Sequence, residues 1–199
     1  MATLIQRYFL TPNMLGHFQR TRGQKAFVCL KDASTIGILA DLRPVGNLQV
    51  VSLFARSIHK PDRRCHVLLI VPDKRKEINP FDYEKHFPGM PVELICQDEM
   101  TFFKVPRKEL IHPFTVNRFD IVFYLETGEN FSLESVLYHS NAKMFAGASS
   151  LCNGVFDFEI QLSDRPELPY LTENLIKYLQ NVQHTQEVRT TESEKFILF

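Results

Sequence analysis

Tryptophan is absent from this chain of 199 residues, while phenylalanine occurs 17 times. Phenylalanine is therefore the main bulky filler of any core. The commonest sugar-stacking and interface-anchoring side chain is missing, which leaves that role to Phe and Tyr. Cysteine is scarce. Cys29, Cys65, Cys96 and Cys152 form no C-x-x-C and no metal-ligand spacing with histidine, so no disulfide framework is expected. Cys65 and Cys96 lie in apolar, strand-like runs and should pack as small hydrophobes. None of the seven histidines forms H-x-x-x-H or H-x-H, and no metal site is expected. No run approaches the roughly 18 apolar residues of a membrane span. The opening M-A-T-L-I-Q-R-Y-F-L is broken by Gln6 and Arg7 and lacks the apolar region and cleavage signature of a signal peptide. The expected location is a reduced cytoplasm, with no membrane partner.

Nucleotide and nucleophile motifs are missing too. The turn after the first strand reads D-L-R-P rather than G-x-G-x-x-G, which denies a pyrophosphate close backbone approach. There is no G-x-x-x-x-G-K-[ST] and no G-x-S-x-G. Gly147-Ala148-Ser149-Ser150 resembles the latter only superficially, because it ends a short strand and enters no clear helix. No cofactor is implied.

Net charge is zero, but it is unevenly spread. Residues 1–76 carry 13 Lys/Arg against 4 Asp/Glu, and residues 77–199 carry 10 against 19. The expectation is that the halves neutralise each other in the fold. Arg56, Lys60, Arg63, Arg64, Lys74, Arg75 and Lys76 form a basic stretch with no aromatic among them. A solvated face is favoured over a nucleic-acid surface, which needs stacking residues as well as charge.

What is present is a strand–helix–strand grammar centred on Arg118–Ser150. Phe119–Leu125 is a near-continuous run of strand formers, the pattern of a strand covered on both faces. A polar turn, Glu126–Asn130, follows; Leu133, Val136 and Leu137 lie at helical spacing, and Lys143–Ala148 resumes a strand. Upstream, Thr35–Ala40, a helix of about 15 residues opened by Pro44, and Cys65–Val71 make a first such unit. Val92–Cys96 predicts a third strand, and short helices are expected over Phe81–His86 and Arg107–Phe114. Val155–Leu162 alternates, and its short connection predicts an antiparallel hairpin edge. Leu168, Leu171, Leu175, Leu179 and Val182 form one stripe of a closing helix. Thr11-Pro12 starts an added N-terminal helix. The apolar end, Lys195–Phe199, is expected to dock as a strand or meet a partner chain.

These residues resemble a known group. The strand F-D-I-V-F-Y-L, the helix with S-L-E-S-V-L-Y-H-S-N-A-K and the terminal L-x-x-N-L-I-K-Y-L look like a family of uncharacterised cytosolic proteins from Bacteroides-type bacteria. Phe119, Asp120 and Leu125 match its strand, and Ser140, Ala142, Lys143 and Gly147 its turn. Tyr178-Leu179 matches the end of its last helix. Where the family carries an acid near the strand's end this chain has Tyr124, with Glu126 two positions later. Phe102-Phe103 falls where relatives tend to carry Trp-Phe. A fainter similarity, to the Rossmann-like N-terminal half of heptosyltransferase-type glycosyltransferases, implies an architecture only. The family has no established activity, so the resemblance supplies no catalytic residue.

The expected fold is α/β, three-layer and Rossmann-like or flavodoxin-like. It has a mostly parallel sheet, an antiparallel C-terminal edge and an added N-terminal helix. The expected organisation is a helical extension over 1–30, one α/β domain over 31–183 and a tail over 184–199. Open parallel sheets bind ligands at the carboxyl ends of their strands, where strand order reverses. By that rule the candidate ligand-binding residues are Asp41, Arg43, Asp73, Glu126 and Asn130, with loop-forming and helix-capping roles as their ordinary alternative. Asp120 is expected to cap or pair locally. The favoured function is a non-catalytic binding or protein-interaction domain, with a protein partner or a second copy reached through the N-terminal helix or C-terminal tail. The alternatives are a small enzyme or small-molecule binder at the strand ends, and a weak nucleic-acid binder through the basic half.

Overall fold

The computed structural model describes residues 14–16, 18–19, 26–149, 151–162 and 167–193, with side chains in the last segment described through 180. Six strands run Thr35–Asp41 (β1), Arg64–Ile70 (β2), Val92–Ile95 (β3), Arg118–Leu125 (β4), Asn141–Ala148 (β5) and Phe158–Ile160 (β6). From Thr35 onward the helices run Asn47–Ile58 (α1), Phe81–Glu84 (α2), Lys108–Thr115 (α3), Phe131–His139 (α4) and Leu168–Ser193 (α5). The sheet order is β3-β2-β1-β4-β5-β6, and every pair is parallel. The three-layer, Rossmann-like α/β class follows from that order. α1 packs with α5 on one face, and α3 with α4 on the other.

Each central strand is buried on both faces, as its apolar run requires. In β4 every residue after Arg118 is buried, and β1 is buried from Ile36 to Asp41. Phe54 of α1 meets the Phe123 ring edge-on at 5.0 Å. Gly37 in β1 has a packing reason. A methyl group there would lie 2.8 Å from Phe114 and 3.2 Å from Phe119. Its absence lets those two rings, 4.8 Å apart, lie on the sheet.

The antiparallel edge is corrected. β6 pairs in parallel with the end of β5, Ala146 opposite Phe158 and Ala148 opposite Ile160. A parallel return normally needs a long crossover. Here β6 has three residues and lies beside the last turn of β5's path, so the connection climbs back only about 10 Å. The strand is also shorter than the alternation over 155–162 suggests, because Phe156 leaves the ladder and lays its ring on Gly147.

α1 starts at Asn47 rather than at Pro44, since Gly46 at φ 91° breaks the first turn. α5 extends past the sequence stripe to Ser193. Of the N-terminal helix, residues 14–16 and 18–19 are helical, and Phe18 is buried edge-on against Phe145 and Tyr138. The rest of that helix, Ser150 and the Lys195–Phe199 end lie outside the described residues. Among the described residues no helix is long and apolar enough to cross a membrane, and no group of three or more His, Cys, Asp or Glu could hold a metal ion.

Candidate functional site

The sheet order reverses between β1 and β4, so the switch-point crevice lies between Asp41, the last residue of β1, and the turn after Leu125. Four of the five candidate residues meet there. Asp41 is 2% exposed and takes Arg43 through the backbone N–H at 2.8 Å and the guanidinium Nε at 2.7 Å, with Nη2 closing the fork. Asn130 Nδ2 donates to Asp41 Oδ2 and to Glu126 Oε2, the latter at 3.0 Å. Asn130 Oδ1 accepts from Leu133 N–H at 3.1 Å, capping α4, and from Arg43 Nη2 at 3.3 Å. The amide thus uses both donors and both lone pairs. Glu126 Oε1 accepts from the N–H groups of Thr127 and Gly128.

The fifth candidate stands apart. Asp73 lies in the exposed loop after β2 and accepts from the Tyr83 hydroxyl at 3.0 Å. Burial and that bond push the Tyr83 pKa up to about 12. Arg75, in the same loop, pairs with Glu99 at 2.8 Å and donates to the Leu94 carbonyl, so this part of the basic run is a loop clamp.

Chemically the switch-point cluster is closed. A general base needs an oxygen with a free lone pair facing substrate, whereas Asp41 is buried and holds four donors. Arg43 retains 45% of its side-chain exposure. The Asp41 hydrogen bond is the main cause of its raised pKa, so it is a fixed cation. Cys65 and Cys96, each pushed up to about 11 by burial, are not thiolates at neutral pH. Both are buried, as small hydrophobes.

Residues 9–182 match DUF6913, a family of unknown function. The chain belongs to DUF6913. No curated protein and no solved structure matches it. Several motif positions of this DUF6913 chain have structural work that explains them. Asp120 accepts from Ser34 N–H and Oγ and from Thr35 N–H and Oγ1, and Lys143 Nζ lies 2.8 Å from its other oxygen. It therefore ties β4 to β1 and β5, and the local cap expected from the sequence is corrected to a clamp between residues 85 positions apart. Burial raises its pKa, but the Lys143, Ser34 and Thr35 donors outweigh that and hold the carboxyl well below the usual carboxylate range. Ser140 Oγ donates to the Val136 carbonyl and finishes α4.

A second concavity lies at the opposite end of the sheet, at the first residues of β1, β2 and β4: Thr35, Arg64 and Arg118. Its volume is about 360 Å³. Sequence reasoning passed over it and placed Arg63 on a solvated face. Arg63 is in fact 4% exposed and donates to the carbonyls of Leu30, Ala33 and Ile58. The one available signal was an arginine immediately before two of the apolar runs, Arg64 before Cys65 and Arg118 before Phe119.

Proposed function

We propose that this chain is a non-catalytic interaction domain that docks on another protein through the aromatic turn after β3. The observation that carries this reading is Phe102, 95% exposed on a turn that is itself tightly held. Met100 bridges Pro106, Thr101 N–H donates to Val105 O at 2.8 Å, and Lys104 N–H donates to Thr101 O at 2.8 Å. Lys104 sits at φ 54°, and its carbonyl accepts Ser132 Oγ from α4 at 2.7 Å. Phe103, 43% exposed, meets the Phe102 ring edge-on at 5.4 Å.

A Phe left in water forgoes about 2 kcal/mol of burial. A turn already ordered adds little loop-ordering cost on docking. Rigid aromatic anchors of this kind dominate interface energetics. The resemblance drawn from the sequence supports the same reading, since it sets a Trp-Phe pair at this point. A switch-point ligand site is less well supported, because Asp41, Asn130 and Glu126 already satisfy one another.

The test is a photo-crosslinking amino acid placed at position 102 and, separately, at Leu53, which is 57% exposed on α1. In the native cell, position 102 should yield a discrete protein adduct that position 53 does not. Identical adducts from both positions, or none from position 102, would reject the reading.

A further inference from the structure

We infer that the concavity at the amino ends of β1, β2 and β4 binds a small organic anion with an apolar body. The inference is independent of the docking turn, which lies after the carboxyl end of β3.

The charge lining this cavity is of one sign. Its charged lining among the described residues is Arg63, Arg64 and Arg118, beside the rings of His59 and His66, and no carboxylate of those residues lines it. Arg63 is the unusual member. Its guanidinium is buried and its hydrogen-bond partners are three backbone carbonyls, with no ion pair to a carboxylate among the described residues. Carbonyl dipoles satisfy its N–H groups but leave a full positive charge in a low-dielectric wall, where its field is poorly screened. Two acids beside the lining residues already have partners. Glu93 lies 3.4 Å from His66 Nε2, and Asp120 is held by Lys143, Ser34 and Thr35. The exposed Arg64 and Arg118, each at the first position of its strand, add two guanidinium forks to the lining. Arginine forks match carboxylate and phosphate groups.

The rest of the wall suits an apolar body. Cys65, Phe119, Pro61 and Pro91 contribute surface there, and burial lowers the His66 pKa, so that ring is neutral at pH 7. A volume of about 360 Å³ lies at the small end of ligand sites. The fitting class is therefore a ring-sized acid: one carboxylate or phosphate head between Arg64 and Arg118, and an apolar body toward Phe119.

Calorimetric titration of the intact chain with benzoate, phenyl phosphate, the neutral benzamide and inorganic phosphate tests this. At least one of the two ring-bearing anions should bind saturably. Whichever binds more tightly assigns the head group. Benzamide should bind at least about tenfold more weakly, and so should inorganic phosphate, which lacks the body. Raising the salt concentration should weaken the anions and leave benzamide unchanged. R64Q/R118Q, two exposed positions that leave the core intact, should lose about tenfold or more in affinity for the anion. K76Q, an exposed change in the loop after β2, should lose none. Absence of binding by both ring-bearing anions at millimolar concentration overturns the inference. So does benzamide binding as tightly as benzoate, inorganic phosphate binding as tightly as phenyl phosphate, or unchanged affinity in R64Q/R118Q with its circular-dichroism spectrum intact.

Discussion

Asn130 is the residue on which the switch point turns. Its amide joins the end of β1, the turn after β4 and the start of α4, and a carboxylate at the same place would present only acceptors. Asn130→Ala removes a helix cap and strands two acceptors, at about 2 kcal/mol. Asn130→Asp keeps the cap to Leu133 but sets a third negative charge against Asp41 and Glu126. It should therefore destabilise more than alanine at pH 7, and the order should reverse at a pH low enough to protonate the new carboxyl. Chemical denaturation of both variants at two pH values reads this directly. Asp120 offers the complementary case. Its folded pKa lies below the unfolded Asp value of about 3.9. The clamp therefore contributes fully above that value and is lost as pH falls through the folded pKa. Asp120→Asn should cost about 2–3 kcal/mol at neutral pH, since it breaks charge-assisted bonds. The gap to the parent should narrow as pH drops below about 4, a trend that acid titration of stability would show.

At the scale of elements, the parallel edge depends on a glycine. The Phe156 ring lies so close to Gly147 that an added methyl would fall 2.6 Å from its edge. Gly147→Ala should cost about 1–3 kcal/mol as an overpacked contact. In a chain already carrying Phe156→Ala, Gly147→Ala should cost much less, so a double-mutant cycle should give strong coupling between the two positions. Additive effects would mean that the ring and the glycine are independent. The same contact shows why the direction of β6 was hidden. Alternation of Phe156, Phe158, Ile160 and Leu162 marks a half-buried strand but carries no orientation. The usual inference from a short connection failed because only three residues pair. The core strands were legible for the opposite reason. Thr35–Asp41, Arg64–Ile70 and Arg118–Leu125 are long apolar runs flanked by polar turns, and burial on both faces leaves few alternatives to a parallel sheet.

For the whole molecule, the gathering of Asp41, Arg43, Glu126 and Asn130 was legible because it follows from topology alone: the ends of β1 and β4 must be neighbours wherever order reverses. Their mutual saturation was not legible, since it depends on the rotamer of one asparagine. Nor was the concavity at the other end. Its arginines come from the starts of separate strands, share no spacing, and include one that burial removes from the basic face suggested by composition. That β1 lies between β2 and β4 also bears on how the chain is made. Its partner in β4 follows about 85 positions later. At ordinary translation rates of about 5–20 residues per second, roughly 4–17 s separate the two strands as they leave the ribosome. Through that interval β1, buried from Ile36 to Asp41 in the finished fold, has one edge unpaired, so nascent chains halted between residues 71 and 117 should be the species that chaperones hold longest.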